Sequence, residues 1–119
     1  HSFDERLARR IYAGSDVMLV PSKFEPCGLI QMIAQRYGAL PLVRKTGGLG
    51  DSVTDGVTGF VFEKYRVNAL AAKMHEAIAV YLAKPEKWQK MVSAAMRQDF
   101  SWRVSAKKYR DLYQKLTKT

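Results

Sequence analysis

The sequence predicts an α/β protein built on a narrow parallel sheet of about three strands flanked by helices, and three observations lead there. Short apolar runs at Val17–Val20, 39–43 and 59–62 lack polar alternation, as strands buried on both faces do. Helical patterns separate the first two runs and follow the third, the alternation that marks a parallel sheet. Seven of the eight glycines lie between Gly28 and Gly59, so the turns cluster where the strands are.

In chain order, residues 4–13 read as a short helix with Leu7, Ala8 and Ile11 on one face, stopped by Gly14. The Val17–Val20 strand leads into a loop, 21–28, that carries two prolines, a glutamate and the cysteine. Residues 29–37 have helical character, with Gly38 as the cap that ends them. After the second strand, 46–50 is the most glycine-dense stretch, and a short helical turn is expected at 51–53. Asp55-Gly56 signals a turn before the third strand. The remainder reads as three helices. Their apolar stripes are Leu70, Met74, Ala77, Ile78 and Tyr81, then Trp88, Met91, Val92 and Ala95, with Pro85 opening the second helix. The third stripe holds Trp102, Ala106, Tyr109, Leu112, Tyr113 and Leu116, with Ser101 as its cap.

The chain has 119 residues, of which 47% are hydrophobic and 26% charged, an ordinary globular composition with room for one modest domain. Its longest apolar runs are too short to span a bilayer, so no membrane partner is expected. One cysteine excludes an internal disulfide and suits a reducing compartment. The net charge of +9 is unevenly placed: seven basic residues stand against six acidic ones up to position 62, and thirteen against five beyond it. A basic helical half can bind nucleic acid or an acidic polymer. It can equally be the solvated outer face of amphipathic helices. A complete doubly wound sheet has five or six strands, so this is either a small α/β unit or the distal part of a larger one.

Ligands of open parallel sheets bind beyond the carboxyl ends of the strands. That places loop 21–28, the segment 44–50 and the segment after Phe62 together, the first two holding most of the candidate residues. The helix after Gly28 presents free N–H groups suited to an anion. Glu25, just before it, suits the hydroxyls of a neighbouring sugar-like group, or serves only as a favourable charge near a helix start. Cys27 has no histidine near it in sequence, and one thiol builds no metal site. Thr46-Gly47-Gly48 by itself could be a tight turn.

Together, Phe24-Glu25-Pro26-Cys27-Gly28-Leu29, Gln31, Tyr37-Gly38 and Thr46-Gly47-Gly48-Leu49 resemble the glycogen and starch synthases of glycosyltransferase family 5. Arg10–Asp16, Asp55–Phe60 and Phe100-Ser101-Trp102 extend the resemblance over nearly the whole chain. It implies a partial Rossmann-like sheet from the C-terminal domain of a GT-B fold, with 1–119 a single partial domain: 1–62 sheet and donor-site loops, 63–119 helical. It further implies retaining transfer of glucose from ADP-glucose or UDP-glucose to the non-reducing end of an α-1,4-glucan. The resemblance also implies that no metal or other cofactor takes part. The glucan would be held through an N-terminal domain, and the compartment would be the bacterial cytoplasm or the plastid stroma.

Carried over by position, Glu25 is the catalytic residue, holding hydroxyls of the donor glucose. Backbone N–H groups of Cys27, Gly28 and Leu29 would meet the sugar, and those of Leu29 and Ile30 the diphosphate. Phe3 would flank the adenine, while Arg44, Thr46, Gly47 and Gly48 line the pocket. Ile33 stands where the wider superfamily often has a second glutamate. The Arg and Lys that neutralise the diphosphate in relatives lie in an earlier part of that domain. The isolated chain is therefore expected to be inactive. An open sheet edge makes a homodimer of the fragment a further expectation, and no nucleic-acid partner is expected under this resemblance.

Overall fold

The computed structural model describes residues 4–117. The chain runs α1 (Glu5–Gly14), β1 (Val17–Val20), α2 (Ile30–Tyr37), β2 (Leu40–Arg44), α3 (Gly47–Ser52), β3 (Phe60–Phe62), α4 (Val67–Ala83), α5 (Pro85–Met96) and α6 (Trp102–Leu116). The strands form one parallel sheet in the order β1-β2-β3, with Val17 opposite Leu40 and Leu42 opposite Phe60. All three carboxyl ends therefore lie along one rim.

The central strand is buried throughout except at Arg44, and its alternating residues feed two cores. Leu40 and Leu42 join Phe60 and Phe62 against Ala77, Val80, Trp88, Met91 and Ala95 of α4 and α5. Val43 and Val20 join Leu49 and Val53 on the other face. Trp88 is the hub of the first core, packed edge-on to Tyr81 with ring centroids 4.9 Å apart and against Phe60 at 6.1 Å.

Pro41 lies in this central strand, where a missing N–H normally breaks a ladder. The Leu40 N–H donates to Asp16 on the β1 side. Alternation turns position 41 to the other side, where β3 begins only opposite Leu42. No ladder bond is lost. The chain just before β3 comes so close that a Cβ on Gly59 would sit 2.7 Å from Val53 Cγ1 and strike the Pro41 carbonyl oxygen.

Helix ends follow their local chemistry. Asp4 caps α1 through its side chain, accepting the Leu7 N–H at 2.9 Å. Gly38 ends α2 at φ 85°, where its N–H reaches the Ala34 and Gln35 carbonyls. Ser101 occupies the cap position of α6, but its side chain makes no capping bond. Asp99 instead takes the Ser101 N–H at 2.9 Å and Arg103 at 3.2 Å. Bonds from Ser101, and then from Arg103, hold the Asp99 carboxyl down from 3.8 to about 2. Farther from the rim, Lys73 of α4 bridges Asp55 and Glu76, and Asp55 also accepts the Val61 N–H. Burial pushes the Lys73 ammonium down, but these two carboxylates outweigh it and leave its pKa raised.

Four expectations need correction. The helix expected at 51–53 instead starts at Gly47, so the glycine run is itself helical. Strand β1 is not buried on both faces: it is an edge, and Leu19 is 46% exposed. The stripe on α4 buries Ala77 and Val80, while Ile78 and Tyr81 stay largely exposed. Finally, α1 and α6 bury none of their residues, so Leu7, Ile11, Trp102, Ala106, Tyr109, Leu112, Tyr113 and Leu116 form no core here. Periodicity reports which face of a helix is apolar, not whether a surface stands opposite it.

Candidate functional site

The rim at the carboxyl ends brings together loop 21–29, the Arg44–Gly48 segment and loop 63–66. Helix α2 points its N-terminus into this rim and has no side-chain cap. Its first internal bond runs from the Ile33 N–H to the Leu29 carbonyl at 2.9 Å. The amides before Ile33 thus have no partner within the helix and, with the helix dipole, make a surface suited to anions. Leu29 and Ile30 are exposed there, and Cys27 is a free, exposed thiol. Glu25 is half-buried beside them, with the Ser22 hydroxyl 3.4 Å from its Oε2.

The glycines of the second segment allow two backbones to touch. Gly47, at φ +44°, would place a Cβ against the Glu25 carbonyl, 3.0 Å from its carbon. Gly48 would place one 2.7 Å from the Cys27 carbonyl carbon, and its N–H donates to the Pro26 carbonyl at 3.1 Å. Gly28 takes φ +70°, which turns the loop into α2. The Thr46-Gly47-Gly48 turn therefore forms the floor on which the Glu25–Gly28 loop rests.

Arg44 has a different surrounding from a free cation. Its Nε donates to the Ser22 carbonyl at 2.9 Å, its Nη2 donates to the Lys23 carbonyl, and the guanidinium lies 5.5 Å from the Tyr65 ring centroid. It pins the start of the loop that carries Glu25. Lys45 reaches Glu63 at 3.1 Å, tying the second and third rim loops. A cavity of about 350 Å³ opens beside them, lined by Pro21, Phe62, Tyr65, Arg66, Val67 and Leu70. Phe3 lies outside the described residues. The rim thus brings together every other residue predicted for the site: Glu25, Cys27, Gly28, Leu29, Ile30, Arg44, Thr46, Gly47 and Gly48. Chemically, it offers amides for an anion next to a carboxylate able to accept hydroxyl protons.

Two roles are not assigned from the sequence. The segment after Phe62 is expected at the rim, but nothing singles out Tyr65, which lies under the Arg44 guanidinium. Gln31 belongs to the motif that carries the resemblance, but its burial with Gln35, at spacing i, i+4 on the face that also holds Ala34, is not expected from it.

The glycosyl transferases group 1 family model matches residues 3–114. The chain belongs to this family. Among its relatives, glycogen synthase from Thermodesulfovibrio yellowstonii is 54% identical over 114 residues, covering 96% of this chain and 23% of that protein. Glycogen synthase from Syntrophotalea carbinolica is 51% identical, covering 95% and 24%. The catalytic domain of starch synthase IV from Arabidopsis thaliana, solved with ADP and acarbose, superposes with a TM-score of 0.86 at 43% identity, covering 96% of this chain and 25% of that one. Sucrose-phosphate synthase from Thermosynechococcus elongatus follows at a TM-score of 0.73 and 25% identity, covering 97% and 29%. This group 1 chain thus spans about a quarter of the relatives it matches. Its three parallel strands and flanking helices are a Rossmann-like portion of the GT-B fold.

Proposed function

We propose that the protein is a glucosyltransferase that moves glucose from ADP-glucose or UDP-glucose to the non-reducing end of an α-1,4-glucan with retention. This chain would supply the donor-side wall, as the distal part of a C-terminal domain. The carrying observation is the half-buried Glu25 carboxylate beside the uncapped N-terminus of α2, above the glycine turn. In the step, the bond from glucosyl C1 to the diphosphate oxygen breaks and one from the acceptor 4-hydroxyl oxygen forms on the same face. The hydroxyl proton ends on the departing diphosphate. Glu25 accepts hydroxyl protons of the donor glucose and orients it. The α2 amides meet the diphosphate, and no metal ion is assigned a part. Starch synthase IV, with ADP in its structure, is the relative that favours an adenine nucleotide.

The charge leaving on the diphosphate needs cations as well as a helix dipole. Arg44 of the rim is turned onto carbonyls and Lys45 onto Glu63, and the Arg and Lys that neutralise the diphosphate in relatives would lie in an earlier part of that domain. The 119-residue chain alone is therefore proposed to be inactive. The test is incorporation of labelled glucose into glycogen by the full-length protein and by this chain alone. Transfer by the full-length protein, lost in Glu25→Ala with its folding intact, supports the reading. Unchanged turnover in that variant removes Glu25 from the step, and robust transfer by the short chain removes the need for outside cations.

A specific observation also favours self-association of this chain. Among the described residues no strand pairs with the outer side of β1, and a cavity of about 430 Å³ beside it is lined by Val17, Leu19, Met74, Ile78 and Tyr81 among others. Sedimentation velocity of the chain checks this, and a monomer at high concentration overturns it.

A further inference from the structure

The two site loops are joined by polar contacts that the proposed donor chemistry does not use. Gln31 and Gln35 are fully buried, one helical turn apart on α2. The Gln31 Nε2 faces three oxygens: the Cys27 carbonyl at 3.2 Å, the Gly28 carbonyl at 3.0 Å and the Ser52 hydroxyl at 3.0 Å. The Ser52 hydroxyl donates onward to the Gly48 carbonyl at 2.6 Å, and Gln35 Nε2 donates to the Ser52 carbonyl at 3.0 Å. The Gly48 N–H returns to Pro26 at 3.1 Å. The circuit is closed: loop to Gln31, Gln31 to Ser52, Ser52 to Gly48, Gly48 to loop.

The arrangement is poor as a device for stability alone. The Oε1 atoms of both glutamines are buried without a hydrogen-bond partner. Such groups forfeit their hydration, and apolar side chains of similar shape would not. Turning the Gln31 carboxamide over would set its oxygen against the Cys27 and Gly28 carbonyl oxygens and pull the Ser52 hydroxyl from Gly48, so the surroundings favour the observed orientation. Gly28 belongs to the same device, since a Cβ there would lie 2.7 Å from Gln31 Oε1.

We propose that Gln31 is a positioning residue that, through Ser52, locks the Glu25–Gly28 loop to the Thr46–Gly48 turn. It thereby sets where the Glu25 carboxylate stands relative to the α2 amides. Its consequence for turnover rests on the donor-site reading above, but the lock itself needs no ligand.

The experiment is hydrogen–deuterium exchange by mass spectrometry on the full-length protein and its Gln31→Leu, Gln31→Glu and Ser52→Ala variants. In Gln31→Leu, the Gly48 and Leu49 amides, bonded to the Pro26 and Thr46 carbonyls, exchange about tenfold faster or more, while those of β2 keep their protection. Ser52→Ala does the same at these amides and serves if Gln31→Leu fails to fold. Gln31→Glu behaves differently with pH. A buried acid facing two carbonyl oxygens stays protonated above its usual pKa of about 4.3 and can still donate. After correction for intrinsic rates, loop protection is therefore near normal at low pH and lost as pH rises through that raised value. Glucose transfer falls at least tenfold in Gln31→Leu. Unchanged loop exchange in Gln31→Leu and Ser52→Ala overturns the lock, as does a pH-independent Gln31→Glu. If the loops respond as described but the unsubstituted protein transfers no glucose, the donor reading fails and the lock stands.

Discussion

Replacing Gly48 by alanine probes the floor of the site more directly than any change to Glu25. Gly48 is not among the glycines with positive φ, so its backbone accepts an alanine without strain. In a helix such as α3 that exchange is favourable by up to about 1 kcal/mol. The contact opposes it. The new Cβ would lie 2.7 Å from the Cys27 carbonyl carbon and 2.8 Å from Cys27 Cα, with the carbonyl oxygen nearer still. Carbon atoms pack at about 3.5–4.0 Å, so the loop must retreat by roughly 1 Å. Overpacking of that size costs about 1–3 kcal/mol. Gly50→Ala supplies the control in the same helix, because the tightest contact of its Cβ is the flexible Lys45 side chain, 3.2 Å from Cγ, with the Lys45 backbone at an ordinary 3.8 Å. Gly50→Ala should be neutral or slightly stabilising, and Gly48→Ala less stable than it by about 1–3 kcal/mol. Urea unfolding of the two variants measures that difference. A displacement of about 1 Å at a reacting group can lower turnover by about a hundredfold. Glucose transfer by full-length Gly48→Ala should fall on that scale even where the protein remains folded. Equal stability of the two variants, with full activity in Gly48→Ala, would refute the backbone contact as a constraint.

Trp88→Ala should destabilise the protein by about 3–5 kcal/mol in denaturant unfolding, since it removes the hub between Phe60 and Tyr81. Lys73→Met should lower stability by about 1 kcal/mol, because Asp55 and Glu76 are both largely exposed, and the loss should shrink in high salt. For Asp99 the folded-state pKa of about 2 lies below the ordinary 3.8. Its contribution is present above the ordinary value and is lost as pH falls from about 4 toward 2. An NMR titration of the Asp99 carboxyl carbon should show that low midpoint, and Arg103→Ala should raise it. Mutation of basic residues on α6 should leave glucose transfer unchanged, and a salt-dependent loss of DNA binding in filter assays would favour the nucleic-acid alternative instead.

The sheet was legible in the sequence because its signals are local. Val17–Val20 and the apolar run ending at Val43 are too short and too continuous for helices, and Gly38 marks the end of α2 by its own backbone freedom. The site was legible for a related reason. Glu25 and the glycine turn follow two strands of one parallel sheet, and such loops must meet at one rim. Less legible was α3. A run of glycines reads as a turn by propensity, whereas here it is helical, with Glu25, Pro26 and Cys27 lying across it and Gly48 bonded to Pro26. Propensity carries no information about a neighbour more than twenty positions away. The fate of Arg44 was hidden likewise: its charge suggested a ligand, and its carbonyl partners Ser22 and Lys23 lie on another loop.

By itself the sequence determined the order of strands and helices along the chain, the parallel class of the sheet and the rim where the candidate residues gather. These depend on periodicity and on caps that act within a few residues. Tertiary structure decided which apolar faces find partners, so Trp88 is core while the stripe on α6 is not. It also decided that Gln31 and Gln35 are buried between two loops rather than solvated. The physical reason is the same in both cases. Burial and hydrogen-bond satisfaction belong to pairs of surfaces, and only folding brings the second surface into place.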